Sequence, residues 1–545
     1  MSVKLFKSPA RTAICFLLLG GLLFAVFHSS FSNPPRSDWW ALFYHFHLYE
    51  ELPAFERALN IANYDVWGHG TYRPLFHLVL YWLYLLFGPN YYFYHLVAFG
   101  FYLLSVVLLY RLARVLGAGR GISLAGAAVF AVLFSHFDIV IWTFHLAVIA
   151  GFCLFLLGFL LYREYLVSGR AWLLALACLL FLPGLLCYEI FILWPAAVFI
   201  LLFSGRIDAG GGEGFRDRFR ASICWIGGLY LVYGAILAYT RSRSPLSGTA
   251  AGLEQFFSFS AIAFSSAVTA FSLVFNGVIA NILPFLVSPV LIQQNIGLGG
   301  VYLRTSSYLH SLLAGRSAPN LNLLVEPPLV IPKTLDLDSL WRAVVPEINR
   351  FLSISGWLII LLFLAGVFLL WKRGCLRKPG PLLFTLFLLA ASTFTLYHGR
   401  MSTNFPIYVL RQFRYQYISN ALTVLLAVLL LDRLIRARPR CRRLVYLFLA
   451  LIGGVNLLFL RTHLEIVNRQ LTPLHRLLSE IQVGLDQGRI RPGETIEIDD
   501  TVVARLPPLC WNKDMAQFMR GTYQWLWRPG PGAAIAKDGP GRTEP

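Results

Sequence analysis

Charge is scarce in this chain. Asp, Glu, Lys and Arg make up 13% of its 545 residues, against about 25% in a soluble domain. Hydrophobic residues make up 57%, and the mean hydropathy is +0.64. That much apolar surface cannot be hidden from water, so lipid must be the solvent. Acids are scarcer than bases, with 27 Asp and Glu against 46 Lys and Arg and a net charge of +19. The basic excess collects in loops between apolar runs and forms no basic soluble face, which argues against a nucleic-acid partner. There are eight cysteines. They show no CxxC or Cys/His ligand spacing, so neither a disulfide framework nor a zinc site is supported. No internal repeat is visible, which weighs against a transporter built from repeated halves.

What the sequence does hold is a series of apolar runs, each close to the roughly 20 residues that cross a bilayer. The first, from about 12 to 27, follows Lys4, Lys7 and Arg11. FHSSFSNPP after it is a poor cleavage site, so the run is expected to remain as the first span with the N-terminus in the cytoplasm. Arg111, Arg114 and Arg120 mark the next cytoplasmic loop. The run 74–88 is too short to span and is expected to lie at the interface, beside an aromatic belt of Tyr91, Tyr92 and Tyr94. The spans then fall at 92–110, 121–137, 143–162, 171–187, 190–204, 222–239, 351–371, 381–397, 417–431 and 444–460. This gives eleven crossings, or thirteen if 256–292 crosses twice, with the C-terminus outside.

The expected fold is an all-α polytopic bundle. A transmembrane domain covers 1–460. It includes a first outer loop at 31–91 and a central outer segment at 241–350. A small outer region follows at 461–528, then a disordered tail at 529–545. ETIEID, starting at Glu494, alternates like a short strand.

Ionisable groups near membrane depth are costly and mark candidate sites. Asp38, Glu50, Glu51, Glu56 and Asp65 lie in the first outer loop, although the three glutamates also read as a solvated helix face. Asp138 stands at the outer end of a span in FSHFDIVIW, and Glu189 in CYEIF is flanked by apolar residues. Arg400, Arg411 and Arg414 cluster in the 398–416 loop. His45 and His47 would point to different faces of a helix, which makes a metal pair there a weak reading. Asp499 and Asp500 read as a surface turn.

The run TYRPLFHLVLYWLYLLFGPNYYFYHL, 71–96, resembles a segment of the C-type membrane glycosyltransferases (GT-C). That superfamily includes protein O-mannosyltransferases, aminoarabinose transferases and oligosaccharyltransferase catalytic subunits. Asp38 in RSDWWALFYH is similar to its acidic motif after the first span. Asp138, four residues before Trp142, matches its second acid, and Glu189 before Pro195 its third. Arg414-Tyr415 matches an Arg-Tyr pair before a late span. The resemblance covers roughly 12–205 and 380–460.

This resemblance implies a GT-C-like bundle that moves a hexose or pentose from a polyprenyl-phosphate donor to an acceptor hydroxyl. The acceptor would be on a protein, lipid or polysaccharide, and transfer would occur on the extracytoplasmic face with inversion. It implies Asp38 as the general base, with Asp138 sharing the site. Arg411 and Arg414 would hold the phosphate, with Arg73 as a second possibility. Arg400, Tyr415, Glu189 and Asp65 would contact substrate. Relatives often carry two adjacent acids in the first loop, and here the first position is Ser37. No cofactor is therefore assigned, and a divalent metal stays open as an alternative. The expected partners are the lipid-linked sugar, its acceptor and membrane lipid, in a bacterial inner membrane. The competing readings are a transporter or lipid-linked-sugar flippase, and a surface-polysaccharide polymerase or ligase of another fold.

Overall fold

The computed structural model describes residues 9–33, 39, 42–43, 45–46, 49–63, 73–208 apart from 89, 215–243, most of 258–282, 350, most of 353–365, 379–400, 413–489, 495–498 and 526–529. Asp38, Asp65, Arg411 and Asp499–Asp500 lie outside the described residues. So do the side chains of Asp138, Arg400 and Arg414.

The chain is an all-α, multi-pass membrane protein. Among the described residues, seven helices are long and apolar enough to cross a bilayer. They are Ala10–Ser30, Tyr91–Val115, Thr143–Ser168, Phe215–Tyr239, Gly380–His398, Tyr417–Ala437 and Pro439–Arg469. An eighth candidate is broken: Arg120–Val132 and Phe134–Ile141 meet at an angle of 55°. The run 121–137, expected as one straight span, therefore bends. Leu133 is extended (φ −59°, ψ 126°), which stops the helical ladder there.

Other expected crossings are shorter than a bilayer requires of a continuous helix. They are Ala171–Cys187 and Glu189–Phe203. The stretch 256–292 contains the helix Phe259–Val274, which packs on Gly380–Arg400. Short apolar helices are stable here because neighbouring helices, rather than lipid alone, cover them. The Ala171–Cys187 helix packs along its length on Leu146–Ser168.

That helix pair shows how local sequence sets the packing. Gly169 adopts φ 71° and caps the first helix by donating its N–H to Tyr165 O at 2.8 Å, a left-handed position that favours glycine. The chain reverses at once, and the two helices run antiparallel. Gly158 faces the Phe181 ring and Gly184 faces the Phe155 ring so closely that neither has room for a Cβ. The two rings stack with centroids 5.1 Å apart. Small residues let membrane helices approach, because packing rather than hydrophobic expulsion drives their association. Gly158→Leu is expected to cost about 1–3 kcal/mol through overpacking. A lower thermal midpoint of the purified protein is the check, and an unchanged midpoint would rule the contact out as a constraint.

Polar contacts divide the bundle into two ends. At one end Arg120 donates to Thr12 Oγ1 at 2.8 Å, and Gly119 N–H donates to Asp432 at 2.9 Å. Arg436 pairs with Asp432 at 2.6 Å and donates to Gly117 O. At the other end the first span runs into Phe31, stacked on His95 at 6.0 Å. The last helix, Arg442–Asp486, is 45 residues long, roughly 65 Å by its rise per residue, about twice a hydrocarbon core. It continues past the bilayer, where Asn468 accepts from Ser30 Oγ (2.8 Å) and Asn33 Nδ2 (2.7 Å). Farther on, Thr495–Ile498 pairs in parallel with Leu526–Pro529. The first of these strands lies within the alternating ETIEID.

Candidate functional site

Several breaks in helical structure meet beyond the end of the bundle that carries Phe31 and His95. Pro74 stands at the first turn of Pro74–Phe87, a position where its fixed φ suits a helix start and its missing N–H costs nothing. Pro74 also keeps the preceding residue out of the helical region, and Arg73 lies at φ −135°, ψ 60°. Its side chain is thereby directed sideways toward a second break. There Tyr188 is extended (φ −163°, ψ 135°) and Glu189 opens a short 3-10 turn. Arg73 Nε donates to Glu189 Oε2 at 2.6 Å and Nη2 donates to Oε1, forming a bidentate pair. The guanidinium lies 4.1 Å from the Tyr188 ring and 5.9 Å from Phe76, a geometry in which a planar cation gains from aromatic faces.

The pair sits in a desolvated setting, with the side chains 12% and 27% exposed. Burial opposes charge on Arg73, but attraction to Glu189 and the facing tyrosines outweighs it and raises the guanidinium pKa further. His77, one turn along, is pushed down to about 3 by burial first and by Arg73 second. His45 in the outer loop is lowered to about 4 by burial. Both rings are neutral near pH 7, so they cannot add positive charge. Farther out, burial and then Glu50, which accepts from Tyr84 OH at 3.3 Å, raise the Tyr84 hydroxyl to about 12.

The other sequence motifs border this pair. Trp39, adjacent to Asp38, is 2% exposed and donates its indole N–H to Thr143 Oγ1 at 2.8 Å. Thr143 opens the 3-10 turn that follows Asp138 and Trp142. In the same turn Phe144 packs edge-on against Phe76 at 4.8 Å, and His145 lies 6.4 Å from the Tyr415 ring. Tyr415 in turn lies within electrostatic range of Arg73. The short helix Phe137–Ile141, which carries Asp138, packs on the turn Phe413–Gln416, which carries Arg414 and Tyr415.

The fold thus brings Arg73, Glu189 and Tyr415 into one neighbourhood. It packs the short helix Phe137–Ile141 on the turn Phe413–Gln416, and joins the residue after Asp38 to the turn after Asp138. Arg400 ends the helix Gly380–Arg400. Sequence reading treated Arg73 and Glu189 separately and did not pair them. It also missed Trp39, Thr143, Tyr188, His77 and His145. The local cue was a set of aromatic and histidine residues beside each acid, which in an apolar chain reads first as belt or core.

A bidentate arginine–carboxylate pair is rigid, and here it has zero net charge. It can fix the geometry of a cleft and present hydrogen-bonding edges to a hydroxylated ligand. Among the described residues, no three His, Cys, Asp or Glu side chains converge as metal ligands. No protein-family model matches this chain. Over 157 residues the chain is 32% identical to protein O-mannosyl-transferase Tmtc1 of Drosophila melanogaster, a match covering 27% of this chain and 18% of that protein. It therefore corresponds to less than a fifth of the relative's length.

Proposed function

We propose that this protein is a membrane glycosyltransferase that uses a polyprenyl-phosphate-linked sugar as donor and a hydroxyl as acceptor. The observation that carries this reading is the meeting of four separately identified motifs at one end of the bundle: the segment after the first span, the Asp138 turn, Glu189, and the Arg414-Tyr415 turn. The partial likeness to an O-mannosyl-transferase adds support and makes mannose the first sugar to test.

In this mechanism the lipid tail stays in the bilayer and the sugar phosphate lies at the helix breaks. The acceptor oxygen attacks the anomeric carbon from the face opposite the phosphate. A carbon–oxygen bond forms to the acceptor as the bond to phosphate oxygen breaks, and the configuration inverts. Asp38 takes the acceptor's proton, and the phosphate leaves with the electron pair. Arg414 and Arg411 donate to the departing phosphate, where charge develops. Asp138 orients the acceptor. The Arg73–Glu189 pair, being neutral overall, holds the sugar and the cleft rather than the phosphate. Arg114, Arg120 and Arg436 stand at the opposite end of the bundle, which under the positive-inside rule supports an extracytoplasmic face for the site.

Comparing glycans and lipids by mass spectrometry, from cells with and without the protein, tests the reading directly. One acceptor class is expected to lose a single sugar, and identical profiles would refute the proposal. Arg414→Ala is expected to raise the donor KM about tenfold or more, the worth of a charge-assisted hydrogen bond. Unchanged donor kinetics would remove Arg414 from the phosphate role.

A further inference from the structure

The bend at Leu133 exposes backbone groups that a continuous helix would satisfy internally, and inside an apolar bundle they must find partners. Phe134 N–H, the first donor past the break, bonds to Asn456 Oδ1 at 3.3 Å. Asn456 Nδ2 donates onward to Asn281 O at 2.8 Å and to Ile452 O at 2.9 Å. Asn281 Nδ2 donates to Asn420 Oδ1 at 2.8 Å, and Asn420 Nδ2 donates to Ser135 Oγ at 2.9 Å. Ser135 is the neighbour of Phe134, so the bonds close into a ring. Asn420 and Asn456 are fully buried, and Asn281 is 6% exposed.

A branch extends the ring. Tyr102 OH donates to Ala131 O at 2.6 Å. Its oxygen can then accept from His136 Nδ1–H across 3.0 Å. That tautomer leaves His136 Nε2 as an acceptor facing Asn420 Nδ2 at 3.5 Å. The surroundings are aromatic: Phe130 lies 4.7 Å from His136, and Phe134 lies 4.9 Å from Phe459. Buried amides of this kind specify register, because any slip leaves several of them unpaired together.

The position of the ring suggests what it serves. Its two points on the break, Phe134 and Ser135, immediately precede the helix that carries Asp138. Asn420 lies one to two turns beyond Arg414 and Tyr415 on Tyr417–Ala437. We infer that Asn420, Asn456 and Asn281 are positioning residues that set the Asp138 helix against the Arg414–Tyr415 turn. Its catalytic consequence rests on the glycosyltransferase reading above, whereas the anchoring itself does not.

The test uses the full-length protein in lipid nanodiscs, with Asn420→Leu and Asn456→Leu made separately. The two variants open the ring at different points and preserve side-chain bulk. Amide exchange in 134–145 and 413–417 is expected to quicken about tenfold or more in both, with little change across Leu146–Ser168 and Ala171–Cys187. Unchanged exchange in the first two segments, or equal loosening everywhere, would overturn the inference. Transfer is then followed with polyprenyl-phosphate mannose and a Ser/Thr peptide. A kcat lower by about 100-fold with a nearly unchanged donor KM is expected, since displaced reacting groups slow chemistry more than binding. Loosened segments with normal kcat would overturn the positioning role. Wild-type protein that transfers no mannose counts against the transferase reading with this donor, and exchange then judges the ring by itself.

Discussion

Asp38→Asn is expected to lower transfer by about 10²–10⁴-fold, the range that a positioned general base contributes. Asparagine keeps the shape of the side chain but cannot take a proton from the acceptor hydroxyl. The effect should fall on kcat, with the donor KM close to that of the wild type, because the proton moves only as the new bond forms. Folding should survive. The adjacent Trp39 is buried, bonded to Thr143 and packed edge-on against Tyr94 at 4.9 Å, and none of these contacts needs a carboxylate at 38. The check is single-turnover kinetics on purified protein, with accumulation and the thermal midpoint measured beside it. Full activity in a well-folded variant would remove Asp38 as the base and pass the role to Asp138.

Breaking the Arg73–Glu189 pair is expected to give the largest loss of stability from any single change at the site. Removing one partner of a buried pair strands the other and costs about 3–5 kcal/mol. Arg73→Ala should fall toward the lower end, because the remaining Glu189 side chain is 27% exposed and water can reach it. Glu189→Ala should cost more, since it strands an arginine that is 12% exposed. Arg73→Lys is expected to lie between wild type and alanine, because an ammonium keeps the charge but cannot form the fork. The double variant Arg73→Met/Glu189→Leu should regain most of the lost stability, as apolar replacements of buried pairs often do. Activity in that double variant is decisive. If transfer recovers with stability, the pair only braces the bundle. If transfer stays lost in a stable protein, the pair contacts substrate. Thermal midpoints and transfer rates of the four variants, each compared with wild type, separate these outcomes.

The membrane class and most helix positions were legible in the sequence for a simple reason. Lipid offers no hydrogen bonds, so a spanning segment must be a helix of fixed length and apolar composition. The reading of 74–88 as a separate short helix reappears as Pro74–Phe87, with proline as its start signal. Ala171–Cys187 and the Glu189 region were less legible. The break itself falls between the expected runs 171–187 and 190–204, but the segments are too apolar to distinguish from full spans, and the 3-10 turns of Glu189–Phe191 and Trp194–Ala196 have no glycine to announce them. The same holds at Leu133, where the sequence VLFSH carries no glycine or proline to announce a 55° bend. That bend is held by distant amides, with Asn456 lying 322 residues away in the chain.

By itself the sequence determined the solvent, the helical class and the acidic, arginine and aromatic residues worth watching. These follow from composition and from spacing within one or two helical turns. Only the tertiary structure decided that Arg73 is committed to Glu189, 116 residues away, that Trp39 reaches Thr143, and that three asparagines close on the break before Asp138. Such pairings depend on which breaks end up side by side, and no local period encodes that. They form because an unpaired polar group in an apolar bundle is costly enough to select the one arrangement that satisfies all of them together.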